Sequence, residues 1–304
     1  MNKRVFSRTA WLLALLLATT ACDDGSDGSL DAPRFLQPAI SRNLSVTREQ
    51  SAGLPDYNIY RPANLDATGS PLPVIVWANG GCVRYDAAWE SLLDSWARAG
   101  FVTVAPTIPA DGADPRTDLT SVEDQVMAID WAYAENARDG GPYAGHFDLD
   151  RIVAAGNSCG GIVALSLASR DSRVSSVFVL SGSSAIPGSP EEAAAAIMGN
   201  ILVPVGYAVG GPEDIASTYA RQDYTLLPVG VPGYLARRSE GDHRTVSTDP
   251  DILAEVAEIS INWIDFTLYG NPAVRQTLQE NPCATCDPGV WEIDAKNLDL
   301  HVVP

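Results

Sequence analysis

The sequence predicts an α/β fold, with a mostly parallel central sheet and helices on both of its faces. Short apolar segments alternate with longer segments in which apolar residues recur at helical spacing, the pattern of parallel strands joined by helices. Several short segments are apolar throughout, such as Val-Ile-Val-Trp at residues 74–77, which indicates strands buried on both faces. No repeat or internal linker interrupts this pattern, so we expect a single domain over residues 45–304.

The first half of the chain gives clear boundary signals. An early strand at 57–61 is followed by the buried strand at 74–77, and an amphipathic helix at 86–99 is closed by Gly100. The next strand, 101–105, stops at Pro106. Apolar residues at helical spacing, from Val122 to Ala132, predict a helix at 121–137. The apolar run at 151–155 is a strand, and the one at 162–168 is a helix.

The second half continues the alternation. We expect strands at 174–180, 203–209 and 233–238, and helices at 191–198, 214–222 and 252–268, the last of them long and closing the domain. Only one short helix fits between the strands at 174–180 and 203–209. The sequence therefore predicts no large cap domain at that point of the fold.

The charge balance limits the possible partners. The formal net charge of the whole chain is −18, which argues against a nucleic-acid partner and against electrostatic attachment to anionic lipid. The chain is long enough to bury a full hydrophobic core.

The N-terminal segment has the features of an export signal. Basic residues precede an apolar stretch at 11–18, and small residues lead up to Cys22, so we expect a signal peptide at residues 1–21. A cysteine directly after small residues resembles the lipobox of bacterial lipoproteins, although Thr19 departs from the usual leucine. Residues 22–44 would then be a lipidated Cys22 and a polar, flexible tether. The alternative is plain secretion without a lipid.

Four cysteines remain, in a compartment that permits disulfides. Cys283 and Cys286 are close enough to pair locally and to clip the C-terminal part of the chain. A redox motif or half of a zinc site is the alternative, but no second ligand pair accompanies these two cysteines. No metal or organic cofactor is expected.

The most informative segment is Gly156-Asn157-Ser158-Cys159-Gly160. It fits Gly-x-Ser-x-Gly and lies between a predicted strand and a predicted helix, the context of a nucleophile elbow. Such a turn is sharp, so its flanking positions must be small, and it exposes the serine hydroxyl at the carboxyl edge of the sheet. We predict Ser158 as a nucleophile and the N–H of Cys159, at a helix N-terminus, as an oxyanion donor. The alternative is an ordinary turn with a surface serine.

A serine nucleophile needs a base, and three histidines are available. His146 precedes the elbow in a loop, and His301 lies near the C-terminal end, where we expect no essential role. His243 follows the strand at 233–238, which matches the chain order serine, acid, histidine of this type of site. We therefore predict His243 as the base.

The orienting acid should follow the strand at 203–209. Asp214 is the predicted acid, although it could instead simply cap the helix that follows it. Glu213 is the second candidate. Asp242 is less suitable, because a sequence neighbour rarely folds back onto its own histidine.

A second oxyanion donor should come from the loop after the strand at 74–77. We assign it to the N–H of Cys82, with Gly81 as its neighbour, because glycines there let the backbone approach a substrate closely. If the nitrogens of Cys82 and Cys159 both donate to one oxygen, their Cα atoms could lie within the 4.4–6.8 Å range of a disulfide. We therefore predict a Cys82–Cys159 disulfide that holds the oxyanion loop rigid.

Taken together, residues 45–270 resemble the α/β-hydrolase superfamily, and most of all its secreted bacterial esterases of the cutinase, polyester-hydrolase and lipase branch. The resemblance rests on the Asn-Gly-Gly-Cys segment at 79–82, the elbow at 156–160, Gly-Pro-Glu-Asp at 211–214 and Gly-Asp-His at 241–243. It implies an α/β-hydrolase fold with Ser158 as nucleophile, His243 as base and Asp214 as acid. The oxyanion segment departs from the His-Gly-Gly-Gly of many lipases.

The expected activity is the hydrolysis of a carboxylic ester through an acyl-enzyme. The predicted lack of a cap favours an open site and a bulky or polymeric ester, with Trp77, Tyr85 and Trp89 as candidates to line it. The alternatives are a peptidase or acyltransferase of the same fold, or a non-catalytic envelope binding protein. The expected partners are a small-molecule or polymeric ester and, through the N-terminal lipid alone, a membrane.

Overall fold

The computed structural model describes residues 43–108, 114, 116–117 and 119–304, and a nine-stranded sheet runs through the middle of this part of the chain. The order of the strands across the sheet is β1-β2-β4-β3-β5-β6-β7-β8-β9. In this order, the six strands from β4 to β8 are mutually parallel, whereas the pairs β1–β2, β2–β4 and β8–β9 are antiparallel. The strands are β1 (Val46–Ser51), β2 (Leu54–Pro62), β3 (Leu72–Ala78), β4 (Val102–Pro106), β5 (Phe147–Asn157), β6 (Val174–Leu180), β7 (Val205–Val209), β8 (Gly233–Arg238) and β9 (Trp291–Lys296).

Helices cover both faces of this sheet. Side chains alternate across a strand, so a strand buried on both sides must be apolar throughout. On β3, Val74 and Val76 pack into one core cluster, while Ile75 and Trp77 pack into the other. The predicted α/β class and mostly parallel sheet are therefore confirmed. The helices are α1 (Glu90–Arg98), α2 (Val122–Asn136), α3 (Cys159–Ala168), α4 (Glu191–Met198), α5 (Ile215–Leu226), α6 (Thr245–Thr248), α7 (Pro250–Tyr269) and α8 (Pro272–Glu280).

The two core clusters divide the helices between the faces. Trp96 of α1 and Trp263 of α7 belong to one cluster, whereas Ile129 of α2 and Leu165 of α3 belong to the other. All four side chains are almost completely buried. Burying such a side chain stabilises a fold by about 1.5–3 kcal/mol, so each face provides its own strong attachment for the helices on it.

The parallel strands direct several loops to one edge. β3, β5, β6, β7 and β8 all end at the carboxyl edge of the sheet, where ligand sites of open α/β sheets lie. Between β6 and β7 the chain forms only the short helix α4, so the predicted lack of a large cap domain is confirmed.

The edge strands and two helices are missing from the sequence-based prediction. β1 and β9 carry polar residues on one side, because an edge strand faces solvent, and their apolar pattern is accordingly weak. Helix α6 is a single turn, and α8 contains few buried residues. The helix at 252–268 is real, as α7, but it does not close the domain: α8 and β9 follow it.

The predicted helix at 86–99 begins later than expected. Residues Ala87–Trp89 form a 3-10 turn and the α-helix starts at Glu90. Asp86 is almost completely buried, and its carboxylate accepts hydrogen bonds from Tyr60 (2.6 Å) and Thr107 (2.8 Å). This carboxylate therefore fixes the end of the loop that precedes α1.

His301, which was set aside as a candidate base because it lies near the C-terminal end, packs onto helix α7. Its side chain is half-buried against the ring of Phe266, and Nε2 donates to the carbonyl oxygen of Thr267 at 2.7 Å. Burial lowers the pKa of His301, more than the bond to Thr267 raises it.

The predicted signal peptide at 1–21, the lipidation site Cys22 and the tether up to residue 42 lie outside the described residues. Within the residues that the structure describes, none of the helices is both long enough and apolar enough to span a membrane.

Candidate active site

Ser158 lies at a sharp turn between β5 and α3. Its backbone has φ 52° and ψ −117°, a strained conformation that residues other than glycine rarely adopt. The flanking glycines have a steric reason. A Cβ atom on Gly156 would overlap the carbonyl oxygen of Gly160, and one on Gly160 would overlap that of Ala78. The segment is therefore built as the motif predicts, with the serine at the apex of the turn.

His243 lies beside this serine. It follows β8 in the loop after residue 238, and its Nε2 is 2.8 Å from the hydroxyl oxygen of Ser158. Its Nδ1 is 2.7 Å from Oδ1 of Asp214. A carboxylate only accepts hydrogen bonds, so Nδ1 carries the ring proton and Nε2 is free to accept the proton of the serine hydroxyl.

Asp214 is held as a carboxylate. Besides His243, its two oxygens accept hydrogen bonds from the N–H of Ala216 (2.8 Å), the N–H of Gly210 (2.8 Å) and the hydroxyl of Ser181 (2.9 Å). Burial raises the pKa of the Asp214 carboxyl, but the hydrogen bonds outweigh burial and hold this pKa below its ordinary value. Asp214 therefore caps helix α5 and contacts His243 at the same time, so its place in the structure is compatible with both interpretations of this residue.

The competing acids lie elsewhere. Glu213 is exposed to solvent. The carboxylate of Asp242 accepts hydrogen bonds from the N–H groups of Arg244 and Thr245, both at 2.9 Å, and thereby starts the turn of α6. His146 precedes β5, at the opposite edge of the sheet, where its Nε2 is 3.4 Å from Asp66.

Both predicted disulfides are present in the structure. Cys82 and Cys159 are bonded, with their Cα atoms 5.3 Å apart, and so are Cys283 and Cys286, at 5.5 Å. The first bond joins the loop after β3 to the first residue of α3, directly beside Ser158. Disulfides persist in non-reducing compartments, so the two bonds indicate that the protein works in one.

The two disulfides should contribute very differently to stability, because they close loops of different length. Cys82 and Cys159 are separated by 77 positions, Cys283 and Cys286 by 3. We expect the double variant Cys82→Ser/Cys159→Ser to lose about 4 kcal/mol of unfolding free energy, and Cys283→Ser/Cys286→Ser about 1.5 kcal/mol. Urea denaturation of the two variants measures the difference. Equal losses would contradict it.

The loop after β3 makes a tight turn at residues Gly80–Cys82. Gly81 and Cys82 both have left-handed backbones, with φ 65° and 54°. The N–H of Cys82 donates to the carbonyl oxygen of Asn79 at 3.1 Å, so this predicted oxyanion donor is already used within the turn. The assignment therefore moves to its neighbour Gly81. Cys159 is the first residue of α3, so its N–H has no acceptor inside the helix.

The side chain of Asn79 fastens this loop from inside. It is completely buried, and its Oδ1 accepts a hydrogen bond from the indole N–H of Trp77 at 2.7 Å. Its Nδ2 donates to the carbonyl oxygens of Val83 (3.0 Å) and Pro106 (2.8 Å). A single side chain thus ties both ends of the turn to the end of β4. In the sequence, this residue is noticeable only because many lipases have histidine at the corresponding position.

A shallow groove with a volume of about 30 Å³ opens beside Ser158 and His243. The predicted aromatic lining is wrong: Trp77 and Trp89 are buried in the core and pack against each other. Tyr85 is exposed but does not line the groove. The walls consist instead of the loop after β6, the first turn of α5 and one residue of α3.

The loop after β6 contributes residues that sequence analysis missed. Ser181 has a left-handed backbone, with φ 37°, and it positions Asp214 through its hydroxyl. Ser184 is held by the buried carboxylate of Asp223, which accepts a hydrogen bond from the Ser184 N–H at 2.6 Å and one from its hydroxyl. In the sequence, the one feature that could have pointed to this loop is a run of small residues directly after a predicted strand, at the carboxyl edge of the sheet.

From the raised pKa of Asp223, we expect the stability of the protein to depend on pH. Burial raises its pKa to about 6, although hydrogen bonds from Ser184 and Tyr207 lower it. This pKa lies above the ordinary aspartate value of about 3.9, so folding favours the protonated form. The contribution of the protonated Asp223 side chain to the free energy of unfolding is complete below about pH 4 and is lost as the pH rises through about 6. We expect Asp223→Asn to gain roughly 2–3 kcal/mol of unfolding free energy relative to wild type between pH 4 and 7.

Urea denaturation of both proteins at several pH values tests this expectation. Asparagine keeps an acceptor for the Ser184 N–H and a donor for its hydroxyl, so the variant should fold. Asp214→Asn is the control of opposite sign, because the pKa of Asp214 is lowered and its contribution grows as the pH rises. A stability difference between Asp223→Asn and wild type that does not change with pH would contradict the argument.

No group of three or more histidine, cysteine or carboxylate side chains arranged to hold a metal ion occurs within the described part of the chain. A comparison with known protein families found no match, and neither did a comparison with curated proteins. The function must therefore be argued from the geometry of the site.

Proposed function

We propose that the protein is a serine hydrolase of carboxylic esters, of the α/β-hydrolase type. The observation that carries the proposal is the continuous hydrogen-bonded chain from Ser158 through His243 to Asp214, with distances of 2.8 and 2.7 Å, on a strained turn at the carboxyl edge of the sheet. This order of nucleophile, base and orienting acid is the arrangement that activates a serine hydroxyl.

In the proposed reaction, the hydroxyl oxygen of Ser158 attacks the ester carbonyl carbon while its proton passes to Nε2 of His243. The carbonyl electron pair moves onto oxygen, and the N–H groups of Gly81 and Cys159 stabilise the resulting anion. The anion then collapses, the C–O bond to the alcohol breaks, and His243 returns the proton to the leaving oxygen. Asp214 keeps the imidazole in the required tautomer and stabilises its charged form.

The second half of the reaction repeats these steps with water. His243 takes a proton from water, the hydroxide oxygen attacks the acyl-enzyme, and the bond to Ser158 breaks. The serine regains its proton and the carboxylic acid leaves. The disulfide Cys82–Cys159 supports this role for the loop, because it ties the segments of both proposed donors together.

The lack of a large cap supports an accessible site, and with it a bulky or polymeric ester. The disulfides support action in a non-reducing compartment. We propose that the protein is exported, and that a lipid on Cys22 anchors it to the bacterial envelope; secretion without the lipid is the other outcome to test.

Two measurements on the full chain test the activity. The protein should release p-nitrophenol from short acyl esters, and a fluorophosphonate should add to the peptide that contains Ser158 but not to the peptide that contains Ser181. Labelling without hydrolysis of any ester would favour a peptidase or an acyltransferase. Neither labelling nor hydrolysis would favour a non-catalytic binding protein.

A further inference from the structure

Asn157 is a buried polar side chain to which the proposed reaction assigns no role. It is the last residue of β5, one position before Ser158, and only 3% of it is exposed. Its Nδ2 donates a hydrogen bond to the carbonyl oxygen of Leu180, the last residue of β6, at 2.9 Å. Burying an amide is costly unless its polar atoms have partners, so this hydrogen bond holds the side chain in one orientation.

The carbonyl oxygen of Leu180 is shared with the nucleophile turn. It accepts a second hydrogen bond from the backbone N–H of Ser158, also at 2.9 Å. A carbonyl oxygen has two lone pairs, so these two donors use both of them. The segment after β6 lies directly on the same turn, because a Cβ atom on Gly182 would be 2.9 Å from the carbonyl oxygen of Ser158. The amide of Asn157 is therefore tied to the same acceptor that holds the backbone of the proposed nucleophile.

The other end of the Asn157 amide lies against the loop after β3. A Cβ atom on Gly80 would overlap Oδ1 of Asn157, and it would be 2.8 Å from the ring of Trp89. Both neighbours are buried, and Trp89 also packs on Trp77. Gly80 is thus held between an amide oxygen and an indole ring, neither of which leaves room for a side chain.

The position of Gly80 determines where the N–H of Gly81 points. The peptide unit between these residues is planar and trans, so it moves as one body. Its carbonyl oxygen accepts the N–H of Val83 at 3.4 Å, and the N–H of Gly81 points to the opposite side of the unit. Cys82 follows Gly81 and is fixed by its disulfide, whereas Asn157 contacts Gly80. The unit that carries the proposed oxyanion donor is therefore restrained at both ends.

We propose that Asn157 is a positioning residue that keeps the N–H of Gly81 in register with the hydroxyl of Ser158. The inference rests on the proposed function and adds a residue to its machinery. One side chain spans the distance from the acceptor of the Ser158 N–H to the Cα of Gly80, and so connects the nucleophile turn to the loop of the second oxyanion donor. Asn157 is buried and does not line the groove, so it acts through its neighbours and not on the substrate.

Steady-state kinetics of two variants test the proposal. Asn157→Ala should lower kcat for p-nitrophenyl butyrate about tenfold or more, because a displaced donor stabilises the anion of the transition state less well. KM should change by no more than about twofold, since the ester in its ground state carries no such anion. Asn157→Ser has a side chain too short to reach both partners and should show the same division between kcat and KM. It also provides a second chance of a folded protein.

A transition-state analogue gives a readout that fold stability alone does not change. Butylboronic acid forms a tetrahedral adduct with a serine hydroxyl, and an oxygen of that adduct occupies the position of the anion. Both Asn157 variants should bind it about tenfold more weakly than the wild type does. Competitive inhibition of p-nitrophenyl butyrate hydrolysis measures this affinity.

The matched control is Asn262→Ala. Asn262 lies on α7, is 4% exposed, and likewise donates from Nδ2 to a backbone carbonyl, that of Pro282, at 3.1 Å. Asn262→Ala should lower the urea midpoint but leave kcat and the boronic acid affinity unchanged. The proposal is overturned if folded Asn157→Ala and Asn157→Ser lose no more kcat than this control. A rise in KM at unchanged kcat also overturns it, because Asn157 would then act in substrate binding.

Hydrogen exchange separates this proposal from the proposed function. Amide exchange of the peptide that contains residues 79–83 is measured by mass spectrometry in the wild type, Asn157→Ala and Asn262→Ala, with the disulfides intact during exchange. We expect faster exchange in this peptide for Asn157→Ala alone. Unchanged exchange overturns the proposal even when the wild type hydrolyses esters. Faster exchange in a protein that hydrolyses no ester means that the proposed function fails, whereas the link between Asn157 and this loop stands.

Discussion

Replacing Ser158 by alanine is expected to lower kcat for p-nitrophenyl butyrate by about 10⁶-fold. The variant keeps the oxyanion donors and the groove, so it should still bind the ester and retain a weak acceleration over the uncatalysed reaction. The large loss follows because the hydroxyl 2.8 Å from His243 is the group that forms the acyl-enzyme in the proposed mechanism. The measurement is the steady-state rate of the variant after the rate in buffer alone has been subtracted.

Two controls accompany this variant. Ser169→Ala changes a serine at the far end of α3, whose hydroxyl donates to the carbonyl oxygen of Ser166, and should leave kcat unchanged. Urea denaturation should show that Ser158→Ala is folded, because the substitution removes only a hydroxyl group. The backbone conformation of residue 158 is strained for alanine as it is for serine. Retention of more than about a tenth of the wild-type kcat by Ser158→Ala would refute the role of this serine.

The second large effect is expected for Asp214→Asn, which should lower kcat by about 10⁴-fold at neutral pH. The four hydrogen bonds to Asp214 explain why. One oxygen accepts from Ala216 and His243, the other from Gly210 and Ser181. In either orientation of an asparagine side chain, its NH₂ group faces a backbone N–H. The imidazole then loses its preferred partner or its preferred tautomer.

The neighbouring carboxylates provide matched controls for this prediction. Glu213→Gln and Asp242→Asn remove one negative charge each, close to the same site, and should change kcat by no more than about twofold because neither carboxylate contacts His243 in the structure. An equal loss in Glu213→Gln would point to that residue as the acid. Asp214→Asn should also unfold at a lower urea concentration, so kcat is compared well below the unfolding transition.

Local chemistry allowed much of the arrangement of the candidate site to be predicted from the sequence. The elbow at Ser158 is recognisable because its requirements lie within five residues: small neighbours, an apolar strand before it and a helix after it. His243 could be selected among three histidines because the order of the strands along the chain fixes which loops reach the carboxyl edge. The disulfide Cys82–Cys159 was predicted correctly, but the premise that both N–H groups donate to one oxygen does not hold, because the N–H of Cys82 donates to Asn79.

Other features were not predicted because their sequence patterns are weak or are compatible with two roles. β1 and β9 are half-polar edge strands, so their apolar periodicity is weak. Asp214 could be a helix cap or a partner of His243, and no local pattern separates two roles that one carboxylate plays at once. The oxyanion assignment shifted from Cys82 to Gly81 because a turn hydrogen bond within the loop uses the N–H of Cys82.

The sequence by itself determined the α/β class, the succession of most strands and helices along the chain, and the position of the candidate nucleophile, because steric rules and apolar periodicity act over a few residues. The order of the strands across the sheet came from the structure. Only the tertiary structure decided what surrounds that serine. These surroundings come from separate segments: Asn79 inside the loop after β3, Ser181 behind Asp214, and the isoleucines at 186 and 215. Their contacts depend on how layers pack against the sheet, and packing between distant segments leaves no pattern in the sequence of any one of them.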